Sequence, residues 1–457
     1  MRRFLRHVIL ALVWVCSLSV TAQSVREQYK AKKKDTVFGI ARQYGITIEE
    51  LAAANPQMQA SGYQLKKGEV LNIPYPLAYT PTKQSEQPDL AKSKDAAGNR
   101  LRVGIMLPLH SQDGDGRRMV EYYRGFLMGC DSLRRQGLSI DIHAWNVSAD
   151  ADVRTTLLES EVAKCDIIFG PLYTKQVSAL SNFCQLNGIK LVIPFSISGN
   201  DVEKNPQIFK VYQSAALQTD MAVSAFQERF SGYHPVFVDC NDSTSKKGSF
   251  TSALRMRLDE KAHQAEASSF SYNITNVRST AEQFSKAFSR TQPNVVVLNT
   301  ARSPELNMVL SKLDALCQLD PSISVSLFGY TEWLMYLKNY QEYFHRYDAY
   351  IPTNFFYNPF SPQVKSLEDN YRKWFGEDMQ YALPRFAVTG YDHAQYFLRG
   401  IHLYGKGFTG DRGQSAFFRP LQTPLHFKQA ADRGGRMNDT FMLIHYKRDH
   451  TIDAISY

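Results

Sequence analysis

Residues 164–198 read KCDIIFGPLYTKQVSALSNFCQLNGIKLVIPFSIS, and the fold follows from them. The first apolar run, 166–169, is too short for a helix and ends at Gly170-Pro171, which marks a buried strand. Val177, Leu180, Phe183, Cys184 and Leu186 then recur at helical spacing. Asn187-Gly188 supplies the stop, since glycine tolerates the left-handed conformation that a C-terminal cap needs. A second buried run, 190–193, follows at once. Strand, helix and strand within about 30 residues make a βαβ unit with parallel strands. Both strands deliver their C-terminal ends, 170–174 and 194–198, to one sheet edge, where open α/β sheets bind ligands. Those ends carry hydroxyls and a new helix N-terminus but no acid, base or metal ligand. The chemistry on offer is holding, not conversion.

The same alternation runs from Leu101 to the C-terminus. Strands are expected at 102–107, 139–145 and 207–212. Helices are expected where Met119, Tyr122, Phe126, Cys130 and Leu133 recur, and over 153–164. A second set follows: strands at 235–240, 268–272, 294–299 and 322–328, with helices at 250–261, 281–289 and 304–319. Residues 350–356 cross back, helices follow around 366–375 and 392–404, and hairpin-like pieces at 425–428 and 441–446 finish the chain. Two successive parallel sheets imply two doubly wound lobes, whose shared cleft is the default ligand site. Asp242 and Tyr330 or Glu332 stand at strand ends of the second set, as cleft residues or as plain loop residues.

The N-terminus has the build of a secretory signal, residues 1–22. Arg2, Arg3 and Arg6 precede an apolar run at 8–20, and Val20-Thr21-Ala22 suits signal peptidase. Val15 stands where a lipobox ahead of Cys16 needs a small residue, which argues against lipidation. Losing the three arginines takes the net charge from +9 to +6. Such a balance suits wall carboxylates or ordinary solubility rather than nucleic acid. The five remaining cysteines have no regular spacing and one is necessarily left over, so no disulfide scaffold is expected, although one bridge is compatible with the count.

Between signal and lobes lies a compact unit, 26–75. Asp35-Thr36 can cap a helix whose apolar face is Val37, Ile40, Ala41 and Tyr44, and Gly45 stops it. Thr47 and Glu50 form a capping box for a second helix, which ends at Asn55-Pro56. Leu65, Gly68, Leu71 and Ile73 indicate a closing strand. Residues 76–100, rich in Pro, Lys, Ser and Gln without apolar periodicity, read as a flexible linker.

The run Tyr29, Asp35-Thr36-Val37, Ile40-Ala41, Tyr44, Leu51, Asn55-Pro56, Leu65, Lys67-Gly68, Leu71, Ile73-Pro74 resembles a LysM domain of βααβ form. It departs at Lys34, where the family has the Gly of its Gly-Asp-Thr turn, and at Ala31, where it prefers Val. The resemblance implies a shallow groove for N-acetylglucosamine-containing glycan, made by Asp35, Thr36, Asn55, Pro56, Gln57 and Met58. Residues 101–457 resemble the type I periplasmic binding proteins, above all the branched-chain amino-acid-binding group. The carriers are residues 103–109, Phe169-Gly170-Pro171, Ile193-Pro194-Phe195-Ser196, Ile208-Phe209-Lys210 and Gly390-Tyr391-Asp392. That resemblance implies an amino-acid-like ligand or wall fragment held by Tyr173, Thr174, Phe195, Ser196 and Ser198, the hydroxyls and backbone taking its carboxylate and amine. The same fold resembles the C-terminal domain of lipoproteins that activate peptidoglycan synthases, which offers a wall-synthesis protein as a partner.

Catalytic signatures are not found. The eleven histidines form no HExxH and none pairs with Cys at zinc spacing. There is no GxSxG elbow, and Gly405-Lys406-Gly407-Phe408-Thr409-Gly410 follows a helix rather than a strand, the wrong context for a pyrophosphate. The aromatic residues at 336–350, with Trp333 and Leu334, have the helical spacing of a core. The expectation is a periplasmic, wall-associated binding protein with no cofactor, no metal and no enzymatic activity.

Overall fold

A computed structural model describes residues 25–33, 35–44, 46, 48–60, 63–74, 100–195, 198–264 and 272–457. The expected signal at 1–22, the linker up to residue 99, Lys34, Gly45, Thr47, Ser196 and all but Tyr272 of the strand expected at 268–272 lie outside the described residues. The chain divides into two compact units, Met1–Lys83 with Pro362–Met379, and Gln84–Ser361 with Gln380–Tyr457.

In the first unit, β1 (Val25–Lys30) pairs antiparallel with β2 (Val70–Pro74), Tyr29 opposite Leu71. Helices Val37–Tyr44 and Ile48–Ala53 and the single turn Pro56–Gln59 lie between them. Val37, Ile40, Ala41, Leu51, Met58, Leu71 and Ile73 form the core, which is the face that the helical and strand periods mark. Helix Pro362–Phe375 joins this unit through rings: Trp374 stacks on Phe38 at 5.7 Å and 15°, and Phe375 meets Phe38 at 5.7 Å. No local pattern near Phe38 announces a partner more than three hundred residues away.

The second unit has two lobes. The first begins with β3 (Leu101–Leu107), β4 (Ile140–Asn146), β5 (Ile167–Phe169), β6 (Lys190–Ile193) and β7 (Ile208–Lys210). The second begins with β8 (His234–Asp239), β9 (Asn273–Asn276), β10 (Asn294–Leu298), β11 (Val325–Phe328) and β12 (Ala349–Thr353). The chain then returns to the first lobe for β13 (Phe427–Gln429) and β14 (Arg436–Asn438), and crosses again for β15 (Met442–Tyr446) and β16 (Ile452–Ser456). The two sheets run β13-β14-β7-β6-β5-β3-β4 and β16-β15-β12-β11-β10-β8-β9. All neighbours are parallel except the pairs β13–β14, β12–β15 and β15–β16. Strand order reverses beside β3 in one lobe and beside β8 in the other, and these are the switch points where such sheets take ligands.

The βαβ unit stands as its residues dictate. Helix Thr174–Asn187 connects β5 to its parallel neighbour β6, and Gly188 adopts φ 67° at the cap. Helix Gly114–Arg135 opens on Asp113, whose carboxylate accepts the Gly116 N–H at 2.7 Å, and buries Met119, Tyr122, Phe126, Cys130 and Leu133. The helix expected over 153–164 is instead Val153–Leu157 followed by a turn at Val162–Lys164. Thr155 and Thr156 are weak helix formers, and the Trp145 indole N–H draws Glu159 to it at 2.6 Å. Residues 350–356 begin as the lobe-two strand β12 and leave that lobe after Thr353. Trp333, Tyr340, Phe344, Tyr347 and Tyr350 are core residues of the second lobe. All five described cysteines are unpaired; Cys130, Cys165, Cys184 and Cys240 are buried.

Helix Phe386–His393 lies directly on helix Gly114–Arg135. A Cβ at Gly125 would stand 1.8 Å from the Ala387 carbonyl oxygen, and one at Gly390 would stand 2.0 Å from that of Tyr122. The same junction buries Glu121, whose Oε2 accepts the Gln380 N–H at 3.0 Å. Burial pushes its carboxyl up to about 7, against the attraction of Arg385 and Arg124. The folded state therefore keeps this proton at pH values where the unfolded chain has lost it. Glu121 thus makes stability fall as pH rises from about 4.5 towards 7. In urea unfolding at pH 5 and pH 7.5, Glu121→Gln should reduce that decline; equal declines in both proteins would show Glu121 to be ionised throughout.

Candidate functional site

The glycan groove expected in the first unit is built on a turn closed by Asp35. Its Oδ2 accepts the Lys32 N–H at 2.7 Å and the Tyr29 hydroxyl at 2.8 Å. The Lys32 N–H above all holds the Asp35 carboxyl below its usual range. Thr36 Oγ1 accepts the Gly39 N–H at 3.0 Å and so starts helix Val37–Tyr44. Asn55 is buried. Its Nδ2 donates to the carbonyls of Leu51 and Asn72, and its Oδ1 accepts the Asn72 N–H, each at 2.7 Å. Met58 is buried as well, whereas Pro56 and Gln57 are exposed. Of the six expected glycan residues, Asn55 and Met58 thus belong to the frame, Asp35 and Thr36 shape the first loop, and Pro56 and Gln57 offer the outward surface. Spacing alone cannot separate these roles, because frame and surface alternate within the four consecutive residues 55–58.

In the second unit the first lobe's edge is formed at the ends of β3, β5 and β6. The Tyr173 hydroxyl donates to Asp115 at 3.2 Å, and Asp115 also pairs with Arg118. Burial, then the Asp115 carboxylate, pushes the Tyr173 hydroxyl up to about 12. Thr174 Oγ1 accepts the Ser198 N–H at 3.2 Å, which ties the β5 and β6 ends together; the Ser198 residue is exposed. Phe195 is buried among Tyr122 (5.3 Å), Phe386 (5.8 Å) and Tyr212 (6.4 Å). Asp115 and Arg118 were not picked out from the sequence; Gly114-Asp115-Gly116 at a helix start was the available signal.

The second lobe's edge is equally bonded within itself. Asp242 accepts the Thr244 and Thr300 hydroxyls, both at 2.7 Å, and the Thr244 N–H at 3.0 Å, with Arg302 at 3.5 Å. Those hydroxyls, Thr244's first, hold its carboxyl down at about 2. Lys247 pairs with Glu332 at 2.7 Å and lies over the Tyr330 ring, and the Tyr330 hydroxyl donates to the Leu298 carbonyl. Among the described residues no three His, Cys, Asp or Glu side chains converge as a metal site, and no helix is long and apolar enough to cross a membrane.

The small βααβ module is a LysM domain, and the two-lobed, mostly parallel α/β domain after it has the type I periplasmic-binding-protein fold. The LysM family model matches residues 29–74. Among solved structures, a protein described as a branched-chain amino acid ABC transporter from Rhodospirillum rubrum is 13% identical with a TM-score of 0.52, covering 78% of this chain and 100% of that one. The branched-chain amino acid transporter substrate-binding protein LivJ from Streptococcus pneumoniae, in complex with isoleucine, is 14% identical (TM-score 0.40; 79% and 100% covered). LpoA from Haemophilus influenzae is 13% identical (TM-score 0.45; 79% and 59% covered). At these identities the likeness is one of fold. No curated protein sequence matches the chain.

Proposed function

We propose that this is a secreted, wall-tethered binding protein of the periplasm. Its LysM domain holds N-acetylglucosamine-containing glycan, and its two lobes take a small amino-acid-like ligand or wall fragment, for sensing or capture rather than transport. The observation that carries the reading is the joining, in one chain, of the LysM match at 29–74 to a two-lobed domain with a switch point in each lobe. A tether suits a receptor that reports or captures locally, because a wall-bound protein cannot shuttle. Hinge closure on a bridging ligand is the repertoire of such two-lobed folds.

Two experiments test the two halves. Gln57→Ala should weaken pelleting of the chain with purified sacculi several-fold, since one lost hydrogen bond is worth about 1 kcal/mol. Pelleting identical to the parent's would remove Gln57 from the glycan surface. Asn55→Ala should instead lower the melting temperature of the first unit, because it leaves the half-buried Asn72 N–H without its side-chain acceptor. For the lobes, a thermal-shift screen with amino acids, muropeptides and amino sugars should give a rise with the right ligand class, because a native-state ligand stabilises by mass action.

A second reading has its own support. The side-chain oxygens of Tyr173, Thr174 and Asp242 are already engaged inside their lobes, which fits an interaction protein that regulates a peptidoglycan synthase through its surface. Silence across the whole ligand screen, with recovery of a synthase in a pull-down, would select it.

A further inference from the structure

Three connections join the lobes, at residues 211–214, after Thr353 and at 439–441. Beside them lies a small cavity, bordered by Tyr212 on the first connection, Asn354 on the second and Asn438 at the end of β14, just before the third. Thr389, His393 and Thr423 add to its polar wall, and the Thr389 hydroxyl is already bonded to the Arg385 carbonyl. His393 Nε2, Thr423 Oγ1 and Asn438 Nδ2 are all buried and have no hydrogen-bond partner among the described residues. His393 is 0% and Asn438 1% exposed, so bulk water does not reach them. Three such atoms on residues that border one space are a cost that native structures rarely leave standing.

Their chemistry is set by what their other ends do. Asn438 Oδ1 accepts the Thr440 N–H at 3.3 Å and the Thr440 hydroxyl at 3.0 Å, which turns Nδ2, a donor, the other way. His393 Nδ1 lies 3.0 Å from the Tyr122 hydroxyl. When that hydroxyl donates, Nε2 carries the ring's proton and is the second donor. Thr423 Oγ1 can accept. Among the described residues no charged side chain borders the space, so nothing there offsets the charge of a metal ion or an anion. The space open to the centre of a water molecule is about 10 Å³, roughly one such molecule and no more.

We propose that this cavity is a binding site for a single buried water molecule, which accepts from His393 and Asn438 and donates to Thr423. It ties helix Phe386–His393 to the segment where the chain passes between lobes for the last time, and so acts as a pin in the hinge. Asp392 and the Thr423 backbone hold one side of this pin, because the Thr423 N–H donates to Asp392 at 2.9 Å.

A crystal structure of the full chain at about 1.8 Å or better should show one well-ordered water within hydrogen-bond reach of His393 Nε2, Asn438 Nδ2 and Thr423 Oγ1. A dry cavity, or rotated side chains bonding each other directly, would overturn the site. In solution, oxygen-17 relaxation dispersion counts long-lived internal waters. Thr423→Ile replaces the hydroxyl and adds one carbon the size of the water, while keeping the backbone N–H on Asp392. It should lower the dispersion amplitude by one water and lower the melting temperature, since the two donors lose their acceptor. An unchanged amplitude in the folded variant would likewise overturn the proposal. If that variant does not fold, the crystal structure alone decides.

Discussion

Gly390→Ala should cost the second unit on the order of 3 kcal/mol or more, and a fall in melting temperature of roughly 4 °C or beyond. The added methyl would lie 2.0 Å from the Tyr122 carbonyl oxygen and 2.9 Å from the Phe126 nitrogen. Both neighbours are main-chain atoms inside helix Gly114–Arg135, so no side-chain rotation can make room. Nor can the helices part cheaply. Gly125 presses on the Ala387 carbonyl from the other side, and Tyr122 and Phe126 belong to the same core as Phe397 and Leu398. Gly232→Ala is the control: a Cβ there meets nothing within 4 Å, and its effect should stay within about 0.5 kcal/mol. Equal melting temperatures for Gly390→Ala and Gly232→Ala would show that the two helices are not seated this closely.

Asp392→Ala should be the next most damaging change. The carboxylate is 1% exposed and accepts three consecutive backbone N–H groups, those of Leu421, Gln422 and Thr423, each at 2.9 Å. Removing it leaves the buried N–H of Gln422 and Thr423 unpaired, at about 1–3 kcal/mol apiece. Asp392→Asn should fall between, because its single amide oxygen can serve the two N–H groups that share Oδ2 but leaves that of Leu421 facing an NH₂. The local readout is hydrogen exchange. The amides of 421–423 should exchange faster in both variants, more so in Asp392→Ala, while those of β10 stay protected. Unchanged exchange at 421–423 would mean that the loop is held by something other than Asp392.

Parts of this arrangement were open to reading because they rest on near neighbours. The strand at 167–169 is a short apolar run cut off by Gly170-Pro171, and Gly188 sits where a left-handed residue must. The small module was legible for a similar reason: its core positions, Val37, Ile40, Ala41, Leu51, Leu71 and Ile73, keep the helical and strand periods over its whole length. The candidate site was legible only in outline. The sheet edge was correctly placed by the βαβ unit, yet the roles of its side chains were not. Phe195 turns into an aromatic cluster, and Asn55 spends its amide on Leu51 and Asn72.

By itself the sequence determined the alternation of strands and helices, the two-lobed class, the LysM module and the sheet edge at which β5 and β6 end. Each of these depends on residues within a turn or a strand of one another, where apolar periodicity and glycine placement act directly. Only the tertiary structure decided that β13 and β14 return to the first lobe while β15 and β16 complete the second, and that helix Pro362–Phe375 packs with Phe38. It also decided that Asp392, a modest position in its helix, closes a loop some thirty residues on. Such pairings join residues far apart in the chain, and they are selected by which surfaces fit and which buried polar groups find partners. Neither quantity exists until the chain has closed on itself.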